Sequence, residues 1–188
     1  CLITASLCLL SISIISFDID DYKTGNFSIF LIFIFLGVLI LNFPFGKIFL
    51  GDSGAYIIGL FVASLSIVLA EKNISPFVLA QILIFPSYEL LRTFIRRFLT
   101  NKNNILKPDK KHLHSILYAF NFKFYQQKQI FANAMSSFQL ALLQLLNCLY
   151  VINFYNNEKL LIFGIITFII SYELLYRYLV SKIGVLEI

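Results

Sequence analysis

The sequence predicts an all-α, polytopic transmembrane helix bundle of about six spans, with its chemistry in cytoplasmic loops. Three observations carry that reading. Of the 188 residues 59% are hydrophobic and 13% charged, with a mean hydropathy of +0.84. A soluble domain is about 45–50% apolar and about 25% charged, and a disordered chain is more polar still. Six apolar stretches approach the roughly 20 residues that a helix needs to cross about 30 Å of hydrocarbon. Finally, the Phe, Leu and Ile runs lack the alternation of barrel strands. In lipid such runs satisfy their backbone only as helices.

The stretches are roughly 1–17, 27–43, 55–70, 76–95, 133–153 and 160–180. The first begins at Cys1 with neither a basic leader nor a small-residue cleavage site, so it reads as a span and not as a signal peptide. A start without Met is expected of a chain cut from something longer. Asp18, Asp20 and Asp21 follow in "DIDDYKTGN", which reads as a solvated turn. The third stretch is short and comes after a glycine-containing polar segment. The fourth holds Glu89 and Arg92, spaced i,i+3, and the sixth Glu173 and Arg177, spaced i,i+4. Ionisable groups in spans are costly, and both spacings allow same-face ion pairs. Glu89 also lies about two turns before a basic loop and can face it. Cys1, Cys8 and Cys148 have no metal or redox spacing and read as packing or lipid-facing residues. The 10 Tyr and 21 Phe suit packing and interfacial anchoring.

Charge then orients the spans. If loops alternate sides, only Lys23, Lys72 and Lys159 of the 15 Lys and Arg fall in the loops of one side. Arg92 and Arg177 lie in apolar runs, and the rest, including Arg96, Arg97 and Lys111, gather in the loops of the other side. The basic side is expected to be cytoplasmic, in a multi-pass membrane protein. A basic loop also suits nucleic acid, but topology already accounts for this charge, so no nucleic-acid partner is expected.

Two cytoplasmic segments concentrate polar chemistry. "NFPFGKIFLGDSGAYIIGL", Asn42 to Leu60, sets one carboxylate, Asp52, between Gly51 and Ser53-Gly54. The glycines allow tight backbone and close approach of a ligand. Ser53 and Gly54 are expected just before the next helix, whose free N–H groups would form an anion site. An aspartate beside an anion site suits a metal–phosphate complex, since Mg²⁺ is held by one or two carboxylates plus substrate phosphates. The alternative is that Asp52 only caps the helix. "RRFLTNKNNILKPDKKHLHSILY", Arg96 to Tyr118, holds both histidines, His112 and His114. Their i,i+2 spacing puts them on one side of an extended segment and splits them in a helix. With the surrounding Arg and Lys they suit phosphates. Zinc through His-x-His would need further ligands, and no cysteine is near. The plainer reading is a topogenic loop touching anionic lipid headgroups.

In this order, "NFPFGKIFLGDSGAYIIGL", "FPSYELLRTFIRRF" and "KPDKKHLHSIL" resemble the polyprenyl-phosphate N-acetylhexosamine-1-phosphate transferases of glycosyltransferase family 4. The resemblance covers about residues 35–120; the flanking helices agree in number and hydrophobicity. It implies a phospho-N-acetylhexosamine transferase. The phosphate of undecaprenyl phosphate attacks a UDP-N-acetylhexosamine at the sugar-proximal phosphorus, UMP leaves, and a lipid-pyrophosphate-sugar starts a cell-surface glycan such as O-antigen or teichoic acid. Mg²⁺, with Mn²⁺ as the alternative, is the implied cofactor. The lipid bilayer holds the acceptor's tail, and a homodimer is compatible with the resemblance. The PD-x-x-HLH form looks less like the muramoyl-pentapeptide branch. Residue by residue, Asp52 matches the metal-associated aspartate, and Asn42 the polar residue before its loop. His112 and His114 match histidines that contact substrate phosphates. Arg97, Asp109 and Lys111 match substrate-binding positions less closely. Asp52 and the two imidazoles are expected to converge at the inner bilayer surface. Glu89 stands where relatives often carry Asp, and Ser115 where many have a third His.

The family's paired-aspartate cytoplasmic motif and its Asn-rich aspartate motif have no match here. The chain is therefore expected to be a single transmembrane domain, 1–188, forming the C-terminal part of a transferase of about eleven helices. The competing classes are a polytopic transporter subunit, which would place ionisable groups near mid-membrane, and a non-catalytic membrane scaffold. By itself the chain is expected to be inactive: incubated with undecaprenyl phosphate and a radiolabelled UDP-N-acetylhexosamine, it should transfer no label to lipid. Robust turnover would refute this.

Overall fold

The computed structural model describes residues 2–43, 48, 50–100, 112–125 and 128–183, apart from the side chain of Thr100. Among them are eight helices: α1 Leu2–Asp18, α2 Tyr22–Asn42, α3 Gly51–Ala70, α4 Pro76–Ile82, α5 Ile84–Thr100, α6 Leu113–Phe124, α7 Gln129–Phe154 and α8 Glu158–Ile183. The described residues contain no strand. Helices α2, α3, α7 and α8 are each long and apolar enough to cross a membrane. Helices α4 and α5 are apolar enough only as a pair interrupted at a break, the pattern of a broken span or a re-entrant loop, and α1, at 17 residues, is a shorter apolar helix. Large apolar side chains stand outward, with Phe33 69%, Ile40 77% and Phe163 61% exposed. Such faces are disfavoured in water and at home among acyl chains. The chain is an all-α, multi-pass membrane protein.

The chain divides into two compact units. The first joins Cys1–Ile82 to Leu140–Ile165, the second Leu83–Gln139 to Ile166–Ile188. In the first, α1 and α2 form a hairpin closed by small residues. Ser13 donates to the Gly25 carbonyl at 3.2 Å. A Cβ at Gly25 would lie 2.7 Å from the Phe17 ring, so only glycine admits this approach, as at many helix contacts in lipid. The turn places Asp20 at φ 60°, a left-handed conformation that Asp tolerates better than most residues. Asp21 then caps α2, accepting from the Thr24 amide and hydroxyl. The Thr24 hydroxyl leads in holding its carboxyl below the ordinary aspartate range, so the cap is present above that range and is lost as acid protonates it. Asp21 also pairs with Lys72 at 3.8 Å, and Tyr155 donates to Asp18 at 3.3 Å. The three loops expected on one side of the membrane are thus in contact at one end of this unit.

The fourth expected span departs from a single helix over 76–95. It breaks at Leu83. The physical cause is Pro86: proline has no N–H, so the Ile82 carbonyl four residues earlier loses its helical donor. In hydrocarbon that carbonyl must find another. It accepts from the Gln144 side-chain amide at 3.1 Å and the Cys8 thiol at 3.4 Å. One residue back, the Gln81 carbonyl accepts from Asn147 Nδ2 at 2.8 Å, and Gln81 Nε2 returns a bond to Asn147 Oδ1 at 2.6 Å. Gln81, Gln144 and Asn147 are all buried. Cys8 and Cys148 are buried free thiols beside this cluster, which is the packing role expected of them.

Asn147→Leu should therefore destabilise the protein by about 1–3 kcal/mol, the cost of a buried carbonyl left unpaired. Asn153→Leu, an exposed amide bonded within its own helix, should change stability by less than about 0.5 kcal/mol. Reversible unfolding in mixed detergent–SDS micelles measures both; equal effects would remove the clamp.

Candidate functional site

In the second unit the polar chemistry lies on α5, in two stripes of i,i+4 spacing. Tyr88 and Arg92 face α8. Arg92 Nε pairs with Glu173 Oε1, its second nitrogen reaches Glu173 Oε2 at 3.4 Å, and its guanidinium lies 3.4 Å over the Tyr176 ring. Tyr88 donates to the same Glu173 carboxylate at 3.1 Å. Arg177 stands 4.0 Å from Glu173, the i,i+4 pair expected from spacing. The other expected pair is corrected: Arg92 takes Glu173 and not Glu89. The Glu173 carboxylate, which Tyr88 braces, and the Tyr176 ring together engage the guanidinium, which offers five donors to be satisfied; a lone i,i+3 carboxylate offers less.

Glu89 and Thr93 make up the other stripe, and they face the start of α6. That helix, Leu113–Phe124, was not expected within the basic loop. His112 is its N-cap in extended conformation, φ −77° and ψ 153°, and His114 sits in its first turn. The structure thus lies between the two expected alternatives. Because His112 precedes the helix, the rings are not split: they stack with centroids 5.3 Å apart and 16° between planes. Glu89 Oε1 accepts the Leu113 amide at 2.9 Å. The same oxygen lies 3.4 Å from His114 Nδ1 and 3.7 Å from His112 Nδ1, and Thr93 Oγ1 is 3.3 Å from His112 Nδ1. The His114 side chain is 59% exposed, that of Glu89 only 15%. Ligand atoms of Glu89, His112 and His114 lie within 4.8 Å of one another. Glu89 is thus the residue whose part spacing understated.

Asp52 belongs to the first unit. Helix α3 starts at Gly51, so Ser53 and Gly54, expected just before the helix, lie with Asp52 inside its first turn. The capping alternative is likewise corrected: Leu50 is the N-cap and contributes no side-chain bond. Gly51 has φ +67°, which favours glycine and turns the chain into the helix. Asp52 is exposed, beside the helix's positive end, and has no hydrogen bond or ion pair among the described residues. Gly54 admits the Leu50 side chain, which a Cβ would meet at 2.8 Å. Asn42 ends α2 and donates to the Ile48 carbonyl at 2.6 Å, bracing the segment before Asp52. Arg97 lies in the last turn of α5. Asp109 and Lys111 lie outside the described residues.

Comparison with known proteins gives these residues a context. The sequence model of glycosyl transferase family 4 matches residues 1–70. The match takes in α1, α2 and the Asp52 turn. It thus reaches helices that resembled the family only in number and hydrophobicity. An undecaprenyl-phosphate alpha-N-acetylglucosaminyl 1-phosphate transferase of Thermotoga maritima is 37% identical over 86 residues, 46% of this chain and 28% of that protein. A probable undecaprenyl-phosphate N-acetylglucosaminyl 1-phosphate transferase of Bacillus subtilis is 39% identical over 88 residues, 45% and 24%. A decaprenyl-phosphate N-acetylglucosaminephosphotransferase of Mycobacterium leprae is 34% identical over 131 residues, 60% and 33%. The chain thus spans about a quarter to a third of the length of these relatives. No solved structure matches it.

A double-mutant cycle of Arg92→Leu and Glu173→Leu should show a coupling of about 1–3 kcal/mol in unfolding free energy, as residues in one ion-pair network do. The same cycle with Arg92→Leu and Glu89→Leu should be additive within about 0.5 kcal/mol. Coupling to Glu89 instead would reverse the assignment.

Proposed function

We propose that this chain, whose residues 1–70 match glycosyl transferase family 4, carries the aspartate turn and histidine turn of an enzyme that moves N-acetylhexosamine-1-phosphate from a UDP-sugar to a polyprenyl phosphate. A lipid phosphate oxygen attacks the sugar-proximal phosphorus, the bond to UMP breaks, and UMP leaves. The single observation that carries the reading is the Gly51–Asp52 turn. It lies within the residues that match the family, presents an exposed carboxylate, and sets it at a helix start where N–H groups are free to meet an anion.

The family is divalent-metal-dependent. Asp52 fits such an ion: it is a hard oxygen donor, exposed and unengaged among the described residues, and Mg²⁺ needs only one or two carboxylates when substrate phosphates complete its shell. Mn²⁺ accepts the same donors. When bound, the ion neutralises the pyrophosphate and charge growing on UMP. The chain's own residues supply the rest. His112 and His114 donate to substrate phosphate, Arg97 offers a planar fork to it, and Lys111 adds a point charge. Asn42 holds the Asp52 segment in place for substrate, and Asp109 contacts substrate from the loop before the histidines. The activities of these relatives support N-acetylglucosamine as the sugar and undecaprenyl or decaprenyl phosphate as the acceptor. The basic loops face the cytoplasm, where UDP-sugars are made, in the bacterial inner membrane.

Asp52→Asn in the whole transferase should lower transfer of labelled sugar phosphate to lipid by at least about 100-fold while membrane insertion and helicity stay unchanged. A near-normal rate would take the metal role from Asp52.

A further inference from the structure

We propose that Glu89 is a positioning residue: its carboxylate, seconded by the Thr93 hydroxyl, sets the two imidazoles of the histidine turn. The part about phosphate rests on the function proposed above; the part about how the rings are held does not. Glu89 is fixed first. It sits on α5, one turn from Arg92, which is itself tied to Glu173 and Tyr176 on α8. Its side chain is mostly withdrawn from solvent, so charges near it are weakly screened.

One oxygen of this carboxylate then meets three nitrogens. The Leu113 amide, at 2.9 Å, is one of the N–H groups that a helix start leaves without an internal partner. A carboxylate there also complements the helix dipole. This bond fixes where α6 begins. It thereby decides that His112 is extended and His114 helical, the arrangement in which these two imidazoles stack. A helix over both would turn them about 200° apart. The two Nδ1 atoms, at 3.4 and 3.7 Å, then share one carboxylate oxygen, which holds the two rings side by side. His114 needs this most, since its side chain is 59% exposed and has little packing to restrict its rotamers. His112 has a second neighbour in Thr93 Oγ1 at 3.3 Å.

The same three side chains have the spacing of a transition-metal site. The stacking argues against that use. An imidazole lone pair lies in its ring plane, and two stacked planes 16° apart do not aim both at one ion. A carboxylate oxygen, held through charge, has no such directional demand.

Glu89→Gln tests the proposal, because its carbonyl can still accept the Leu113 amide while the charge is gone. The chain has only two histidines, so ring resonances of ¹³C,¹⁵N-histidine-labelled protein in micelles report His112 and His114 alone. In Glu89→Gln both rings should shift, with helicity by circular dichroism unchanged. In the whole transferase kcat should fall on the order of 10–100-fold, the usual effect of losing a partner that orients a functional imidazole, with KM for the UDP-sugar moving less than about 3-fold. Glu89→Asp should restore part of the rate. Unmoved ring resonances, or resonances that sharpen and shift with substoichiometric Zn²⁺ only when Glu89 is present, would overturn the proposal. Failure of the wild-type transferase to transfer sugar phosphate would overturn the function and leave the resonance test standing.

Discussion

Backbone amides and carbonyls inside a bilayer have no water to turn to, and each one left unpaired there costs several kcal/mol. The long helices meet that constraint by themselves. The broken span does not: Pro86 removes a donor, and the carbonyls of Gln81 and Ile82 are taken up by Asn147, Gln144 and Cys8. Side-chain amides within an apolar helix would otherwise be a liability. Here they repair a backbone defect, and in doing so tie the end of α4 to α7 inside the first unit.

The same constraint shapes where charge is tolerated. Glu173 and Arg92 sit among aromatic residues, and their mutual pairing together with Tyr88 and Tyr176 satisfies groups that lipid cannot. One turn away on the same helix, Glu89 serves a helix start instead. The two stripes of α5 therefore divide the work. One anchors the helix against α8, and the other uses that anchored helix to set the histidine turn. A catalytic group on a loop gains precision when the residue that orients it stands on a rigid element.

Much of the architecture was legible because hydropathy is a sum over neighbours in the chain. The runs at 55–70, 133–153 and 160–180 lie within single helices of membrane length, and that at 27–43 passes the end of α2 by one residue. A turn near Asp20 was legible for the same reason, although Asp21, expected to be solvated, is drawn in as the α2 cap with a side chain only 10% exposed. The Asp52 turn was recognisable from its glycines and stands within the residues that match the family. Helix α6 was missed because a basic, Asn-rich approach masks a 12-residue amphipathic segment, and its start depends on an acceptor 24 residues away.

Sequence by itself thus determined the class of protein, four of the six expected spans and the glycine turn before Asp52, since each follows from local composition and glycine. Tertiary structure alone decided which carboxylate takes Arg92, which oxygen meets Leu113, and that the two imidazoles stack. Glu89 and Glu173 both offer a carboxylate at helical spacing from an arginine, and spacing cannot rank them. The choice falls to whatever packs against the other side of the helix. That is a property of residues distant in the chain, and no local pattern encodes it.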